Sequence, residues 1–108
     1  MNTRSIKIEL TEHIEEYINS NDTKGIDLSD LHDSIFNEDY YIIGYYNAEQ
    51  WLKRHNIGIF EGIKFCQEYE KRNFGASRQY QSAGQLANMI TYIIGEELIY
   101  DNAEIYAQ

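Results

Sequence analysis

The sequence predicts an all-α fold in a single domain spanning residues 1–108. Apolar residues recur every three or four positions along most of the chain, which is the spacing of one helix face. Capping residues precede several of these stretches, and the chain contains no proline to interrupt a helix from within. We therefore expect a compact helical domain of about five helices.

The first helix is predicted over residues 12–20, after a short extended segment. The segment is indicated by apolar residues that alternate with polar ones: Ile6, Ile8 and Leu10. Thr11 is the expected N-cap, because acidic residues that complement the positive end of a helix follow it directly.

A second, short helix is predicted to begin after a cap at Asp27 and to end near Phe36. A third, over about 38–55, contains the β-favouring run "YYIIGYY". Acidic residues at its start and basic residues at its end nevertheless favour a helix, because a helix dipole is stabilised by that arrangement and a strand is not. The first half of this helix is apolar nearly all round, so it is predicted to be the centre of the domain.

Two further helices are predicted over about 58–72 and 83–99. Gly75 can adopt the left-handed conformation that ends the first of them. Ser82 and Gln85 have the spacing of a capping box and open the second. The tail after residue 99 is expected to add a turn of helix.

The tetrapeptide YIIG occurs at residues 41–44 and again at 92–95, each time inside a predicted helix. Glycine within a helix costs about 1 kcal/mol relative to alanine, so its presence there indicates close approach of a neighbouring group. The NAE tripeptides that follow the two copies lie at a different offset, so we interpret the repeat as shared packing and not as a duplicated unit.

The charge distribution limits the classes of partner. The formal net charge is −9; residues 25–52 carry six acids and no Lys or Arg, whereas residues 53–78 have an excess of bases. This balance argues against direct nucleic-acid binding, which usually needs a basic face. No signal-peptide pattern or membrane-spanning stretch is recognised, so a soluble, cytoplasmic protein without membrane contact is expected.

No pattern in the sequence predicts catalysis, a metal or another cofactor. The single cysteine, Cys66, lies on the apolar side of its helix and is interpreted as a small buried hydrophobe. Histidine and carboxylate pairs such as Glu9 and His13 have helical spacing, but they do not form the paired motifs of a di-iron site or a zinc framework. The protein is therefore predicted not to be an enzyme.

The most informative feature is a series of acids spaced by three residues on the second helix. Such a series can present a phosphate-like pattern to a basic cleft. The predicted partner-binding residues are Asp27, Asp30, Asp33, Glu38 and Asp39, extended by Glu12, Glu15 and Glu16, with Tyr40 or Tyr46 as an apolar anchor. Two alternatives remain: the acids only keep the protein soluble, or the tyrosine-rich helix forms a homodimer face.

The stretches "LHDSIFNEDYYIIGYYNAEQWL", "EYEKRNFG" and "NMITYIIGEEL" together resemble a group of small, mostly uncharacterised bacteriophage proteins. The resemblance covers roughly residues 31–97 and contains no catalytic motif. It implies an acidic protein that binds and disables a host enzyme, such as a restriction or CRISPR nuclease, in some cases by imitating DNA.

Overall fold

The computed structural model describes residues 1–36 and 47–106, and within these ranges it contains helices and no strand, so the all-α prediction is confirmed. The helices, in chain order, are α1 (Arg4–Ser20), α2 (Leu28–Phe36), α3 (Ala48–Arg54), α4 (Ile59–Phe74), α5 (Ala83–Asp101) and α6 (Ala103–Tyr106).

Helix α5 is the packing centre of the described ranges, because α1, α2, α3, α4 and α6 all pack against it. It can pack against all five helices because it is apolar on most sides. Its buried residues are Gly84, Leu86, Ala87, Ile90, Thr91, Ile93, Ile94, Gly95, Leu98 and Ile99. The sequence predicted that the helix over 38–55 would be central. Residues 37–46 lie outside the described ranges, and in those ranges α5 takes the central position.

Helix α1 begins eight residues earlier than predicted. The predicted extended segment is wrong, and Thr11 lies inside the helix instead of capping it. The alternating pattern was misleading because Ile6 and Leu10 also belong to a helical stripe. With Ile14 they are spaced by four residues and are fully buried. Ile8, the third residue of the alternating pattern, is exposed. The helix starts after Thr3, and the Asn2 Oδ1 atom accepts a 3.0 Å hydrogen bond from the Arg4 N–H.

The predicted boundaries of the other helices agree better with the structure. Asp27 caps α2, since its Oδ1 atom accepts a 2.8 Å hydrogen bond from the Asp30 N–H. Gly75 ends α4 with a φ of 76° in the left-handed region. Ser82 caps α5 by accepting from the Gln85 N–H at 3.2 Å, although the Gln85 side chain accepts from the Gln81 N–H and not from that of Ser82.

Helix α3 corresponds to the end of the predicted 38–55 helix. Trp51 and Leu52 on it are buried against the core. The chain leaves α3 through His55 and through Asn56, whose φ of 56° is left-handed. His55 is buried as well, although its sequence neighbours Lys53 and Arg54 are exposed.

The second YIIG copy lies within α5, and its glycine is a point of close approach. Gly95 is buried, and the ring of Phe36 from α2 lies directly against it. This contact supports the packing interpretation of that copy. The first copy, at residues 41–44, lies outside the described ranges.

Candidate functional site: an acidic surface on the first two helices

The acidic residues predicted for α2 are all at the protein surface. Asp27, Asp30 and Asp33 are exposed, whereas Leu31 and Ile35 of the same helix are buried. The cap hydrogen bond uses one carboxylate oxygen of Asp27 and orders that side chain at the start of the helix. We refer to these three residues as the acidic row.

The acidic row winds around α2 as it rises. Three residues of an α-helix rise about 4.5 Å and turn about 300°, so successive acids are offset by about 60° in the same sense. The three carboxylates therefore span about 9 Å along the axis and about a third of the circumference. The three carboxylates therefore lie along a helical path on the surface of α2 and not along a straight line parallel to its axis.

The acidic row is not neutralised by a Lys or Arg side chain within the ranges that the structure describes. Among those residues, the ionisable group paired with the row is His32, whose Nδ1 lies 3.8 Å from the Asp33 Oδ1. His32 is buried and its Nε2 lies 2.9 Å from the Tyr92 carbonyl oxygen, so its ring is held by the core. The row thus keeps its negative charge available to solvent.

Helix α1 adds further exposed acids. Glu12, Glu15 and Glu16 all face solvent in the C-terminal part of α1. The ring of His13, which lies among them in sequence, is 6.2 Å from the ring of Phe36 at the end of α2. This contact brings the acidic part of α1 and the end of α2 to neighbouring positions on the fold.

The remaining predicted site residues, Glu38, Asp39, Tyr40 and Tyr46, lie outside the described residues. Their part in the surface stays a prediction, and so does the dimer face on the tyrosine-rich segment. The acidic surface defined by the structure consists of the acidic row on α2 together with Glu12, Glu15 and Glu16 on α1.

Glu9 has a different role from its acidic neighbours on α1. Its Oε2 accepts a 2.6 Å hydrogen bond from the Trp51 indole N–H, and its Oε1 accepts one of 2.7 Å from the Arg54 guanidinium. These bonds join α1 to α3. From the sequence, Glu9 could be interpreted only as a possible partner of His13. No pattern among its neighbouring residues indicates contact with residues more than 40 positions away.

A buried carboxylate, that of Glu70, lies on α4, on the side that the sequence predicted to be mainly apolar. Glu70 is 3% exposed and accepts hydrogen bonds from the Arg78 Nε at 3.1 Å and from the Tyr80 hydroxyl. These bonds hold the loop after Gly75 onto α4. The carboxylate is fully engaged in this structural contact and is remote from solvent.

Cys66 is buried one turn before Glu70, which confirms its interpretation as a small hydrophobe. Burial raises the pKa of its thiol to about 12, so the thiolate is not formed near neutral pH. Within residues 1–36 and 47–106, no cluster of three or more histidine, cysteine or acidic side chains has the arrangement of a metal site.

Comparison with known proteins gives no relative: no protein family, curated sequence or solved structure matches this chain. Of the helices described here, none combines the length and the apolar character needed to cross a membrane.

Proposed function

We propose that this protein is a non-catalytic inhibitor of the phage type, which occupies the basic nucleic-acid site of a host defence or DNA-handling protein. The observation that carries the proposal is the acidic row: three exposed carboxylates in a fixed helical arrangement, unpaired with Lys or Arg among the described residues. An ordered series of negative charges is what a groove built for phosphates recognises.

Electrostatics would act mainly on the rate and selectivity of the encounter. A negative surface is attracted to a basic groove before contact, and it repels the nucleic acid that competes for the same groove. Binding of this kind weakens with salt, because exposed charges more than about 8 Å apart are screened at physiological ionic strength. The exposed acids on α1 would widen the surface from a single helix to two.

The proposal is tested by DNA-cleavage assays with purified restriction and RNA-guided nucleases at low and high salt. The test variant is Asp30→Lys/Asp33→Lys, which reverses two charges of the acidic row and leaves the Asp27 cap in place. The matched control is Glu68→Lys/Glu104→Lys, which makes the same change in net charge at exposed positions on α4 and α6.

We expect inhibition that decreases with salt, is lost in the α2 variant and is retained in the control variant. Circular dichroism of both variants establishes that helix content is unchanged. Equal inhibition by the two variants would show that net charge, and not the acidic row, is responsible. Absence of inhibition by the unmodified protein across both nuclease classes would reject the proposed targets.

A further inference from the structure

A second cluster of polar side chains connects the start of α1 to the end of α3, apart from the acidic surface. Ser5 lies in the first turn of α1, Glu9 follows one turn later on the same side, and His55 follows α3. Ser5 is exposed, whereas His55 is 7% exposed. The cluster therefore has one member that solvent can reach and one that is shielded from it.

The distances within this cluster are those of a serine with an adjacent base. The Ser5 Oγ lies 2.7 Å from the His55 Nδ1. The other ring nitrogen, Nε2, is buried without a hydrogen bond and lies 3.5 Å from the Glu9 Oε2. A nucleophile hydrogen-bonded to a base, with a third group facing the other side of that base, is the arrangement that activates serine in hydrolases.

The carboxylate of Glu9 determines which ring nitrogen can accept a proton. A neutral imidazole carries one N–H and one lone pair. The negative Glu9 favours the tautomer with hydrogen on Nε2, and that tautomer leaves the Nδ1 lone pair facing the Ser5 hydroxyl. Trp51 and Arg54 fix Glu9 by donating to its two oxygens at 2.6 and 2.7 Å.

The backbone N–H of Ser5 can act as a donor to a developing negative charge. The first N–H of α1 to be bonded to a carbonyl one turn earlier is that of Lys7, to Thr3 O at 2.9 Å. The N–H of Ser5 precedes it, has no such carbonyl partner within the helix, and belongs to an exposed residue. Donors of this kind stabilise an oxyanion formed at a neighbouring carbonyl.

We propose that Ser5 is a site of self-catalysed acylation that accepts the acyl group of an activated ester. The Ser5 oxygen forms a bond to the carbonyl carbon as its proton passes to the His55 Nδ1, and the imidazolium is stabilised by Glu9. The bond from that carbon to the leaving alcohol then breaks, and the alcohol takes the proton from His55. The products are O-acyl-Ser5 and the free alcohol, with no change in oxidation state.

This inference is independent of the proposed binding function. It concerns one acyl transfer to the protein itself and requires no reaction on a partner. It also explains why a buried histidine is placed with one nitrogen on a surface hydroxyl and the other beside a carboxylate. The sequence could not indicate the cluster, because 50 residues separate Ser5 from His55.

The test uses para-nitrophenyl acetate with the full chain, followed by intact mass and peptide mapping. We expect one acetyl group on Ser5, with release of an equal amount of para-nitrophenolate. Ser29, an exposed serine in the first turn of α2, is the internal control and should remain unmodified. Acetylation should be unchanged in Ser29→Ala and absent at this site in Ser5→Ala.

The role of His55 is tested by His55→Gln, which should slow acetylation of Ser5 by about 100-fold, the lower range for loss of a general base. Because His55 is buried, circular dichroism must show that this variant is folded. Glu9→Gln is the second variant, and it should also slow acetylation of Ser5 because the negative charge that faces Nε2 is removed. Glu9→Asp keeps that charge and should recover part of the rate, which a merely structural role of Glu9 would not produce.

Two results would overturn the inference. One is acetylation of Ser5 no faster than that of Ser29 in the folded protein. The other is a rate at Ser5 that stays the same in folded His55→Gln, or in folded Glu9→Gln. Acetylation confined to lysine side chains would count equally against the inference.

Discussion

The ring of Phe36 lies so close to Gly95 that a Cβ at position 95 would be 2.5 Å from the Phe36 Cε2 atom. No side chain larger than hydrogen fits there while the ring keeps its position. Phe36 is 4% exposed and Gly95 is buried within α5, so neither group can move toward solvent without opening the contact between α2 and α5.

Gly95→Ala should therefore destabilise the protein by about 1–3 kcal/mol, the usual cost of overpacking. Whether Gly95→Ala stabilises or destabilises the protein should depend on the presence of the Phe36 ring. In a Phe36→Ala background, Gly95→Ala should be neutral or stabilising by up to about 1 kcal/mol, because alanine is the better helix former once the obstruction is removed. Urea denaturation of the four proteins in this cycle measures the coupling, and additive effects would contradict the close contact.

Breaking the ion pair at Glu70 should destabilise the loop that follows α4. Arg78→Gln leaves a carboxylate that is 3% exposed without its charged partner, and we expect a loss of about 2 kcal/mol. Adding Glu70→Gln to Arg78→Gln should recover part of this loss, since the second change removes the buried charge. Thermal denaturation compares the variants, with Arg72→Gln as the control for loss of an exposed α4 cation. If the double variant were less stable than Arg78→Gln alone, the explanation would fail.

Alkaline pH should destabilise the fold. Burial raises the pKa of the Cys66 thiol to about 12 from an ordinary value near 9.0, and burial also raises the pKa values of the hydroxyls of Tyr69 and Tyr80. The unfolded chain therefore loses these protons first as the pH rises. Since it then binds fewer protons than the folded state, the free energy of unfolding falls with increasing pH from about pH 9 upward.

Denaturation midpoints in urea at pH 8 and at pH 10.5 should show this decrease. Cys66→Ala removes the thiol contribution, so its stability should fall less between the two pH values than that of the unmodified protein. Native Cys66 should also resist alkylation at pH 8 and react once urea unfolds the chain. Rapid alkylation of the folded protein would contradict the buried position.

Acid should destabilise the fold through His13. Burial lowers the pKa of this imidazole from its ordinary 6.5, against the opposing effect of Glu16 and Glu9. A histidine whose pKa is depressed in the folded state stabilises the fold above the unfolded pKa, and that stabilisation is lost as the pH falls from 6.5 through the lower folded value. His13→Gln should reduce the difference in unfolding free energy between pH 7 and pH 5. NMR titration of the ring checks the direction of the pKa shift directly.

The sequence predicted those parts of the fold that depend on neighbouring residues. Asp27, Gly75 and Ser82 end or begin helices through contacts within a few positions, and such signals are local. The start of α1 was predicted wrongly because two apolar residues of its helical stripe coincide with an alternating pattern.

Contacts between distant elements were not predictable in the same way. The exposure of the acidic row, by contrast, could be predicted, because its residues are close together on one helix. The engagement of Glu9 by Trp51 depends on how α1 and α3 both pack on α5, and residue types alone do not specify this arrangement. The central position of α5 could not be predicted either, because the sequence contains two stretches that are apolar nearly all round and local patterns do not rank them.

The dependence of every other described helix on α5 has a consequence for synthesis on the ribosome. Helices α1 to α4 are synthesised before α5. Their apolar sides therefore have no α5 to pack against until nearly a hundred residues have been translated. Nascent chains stalled before α5 should therefore expose those sides to chaperones and proteases. The contact between α1 and α5 closes most of the chain into one loop, so acquisition of the fold is late and cooperative instead of stepwise.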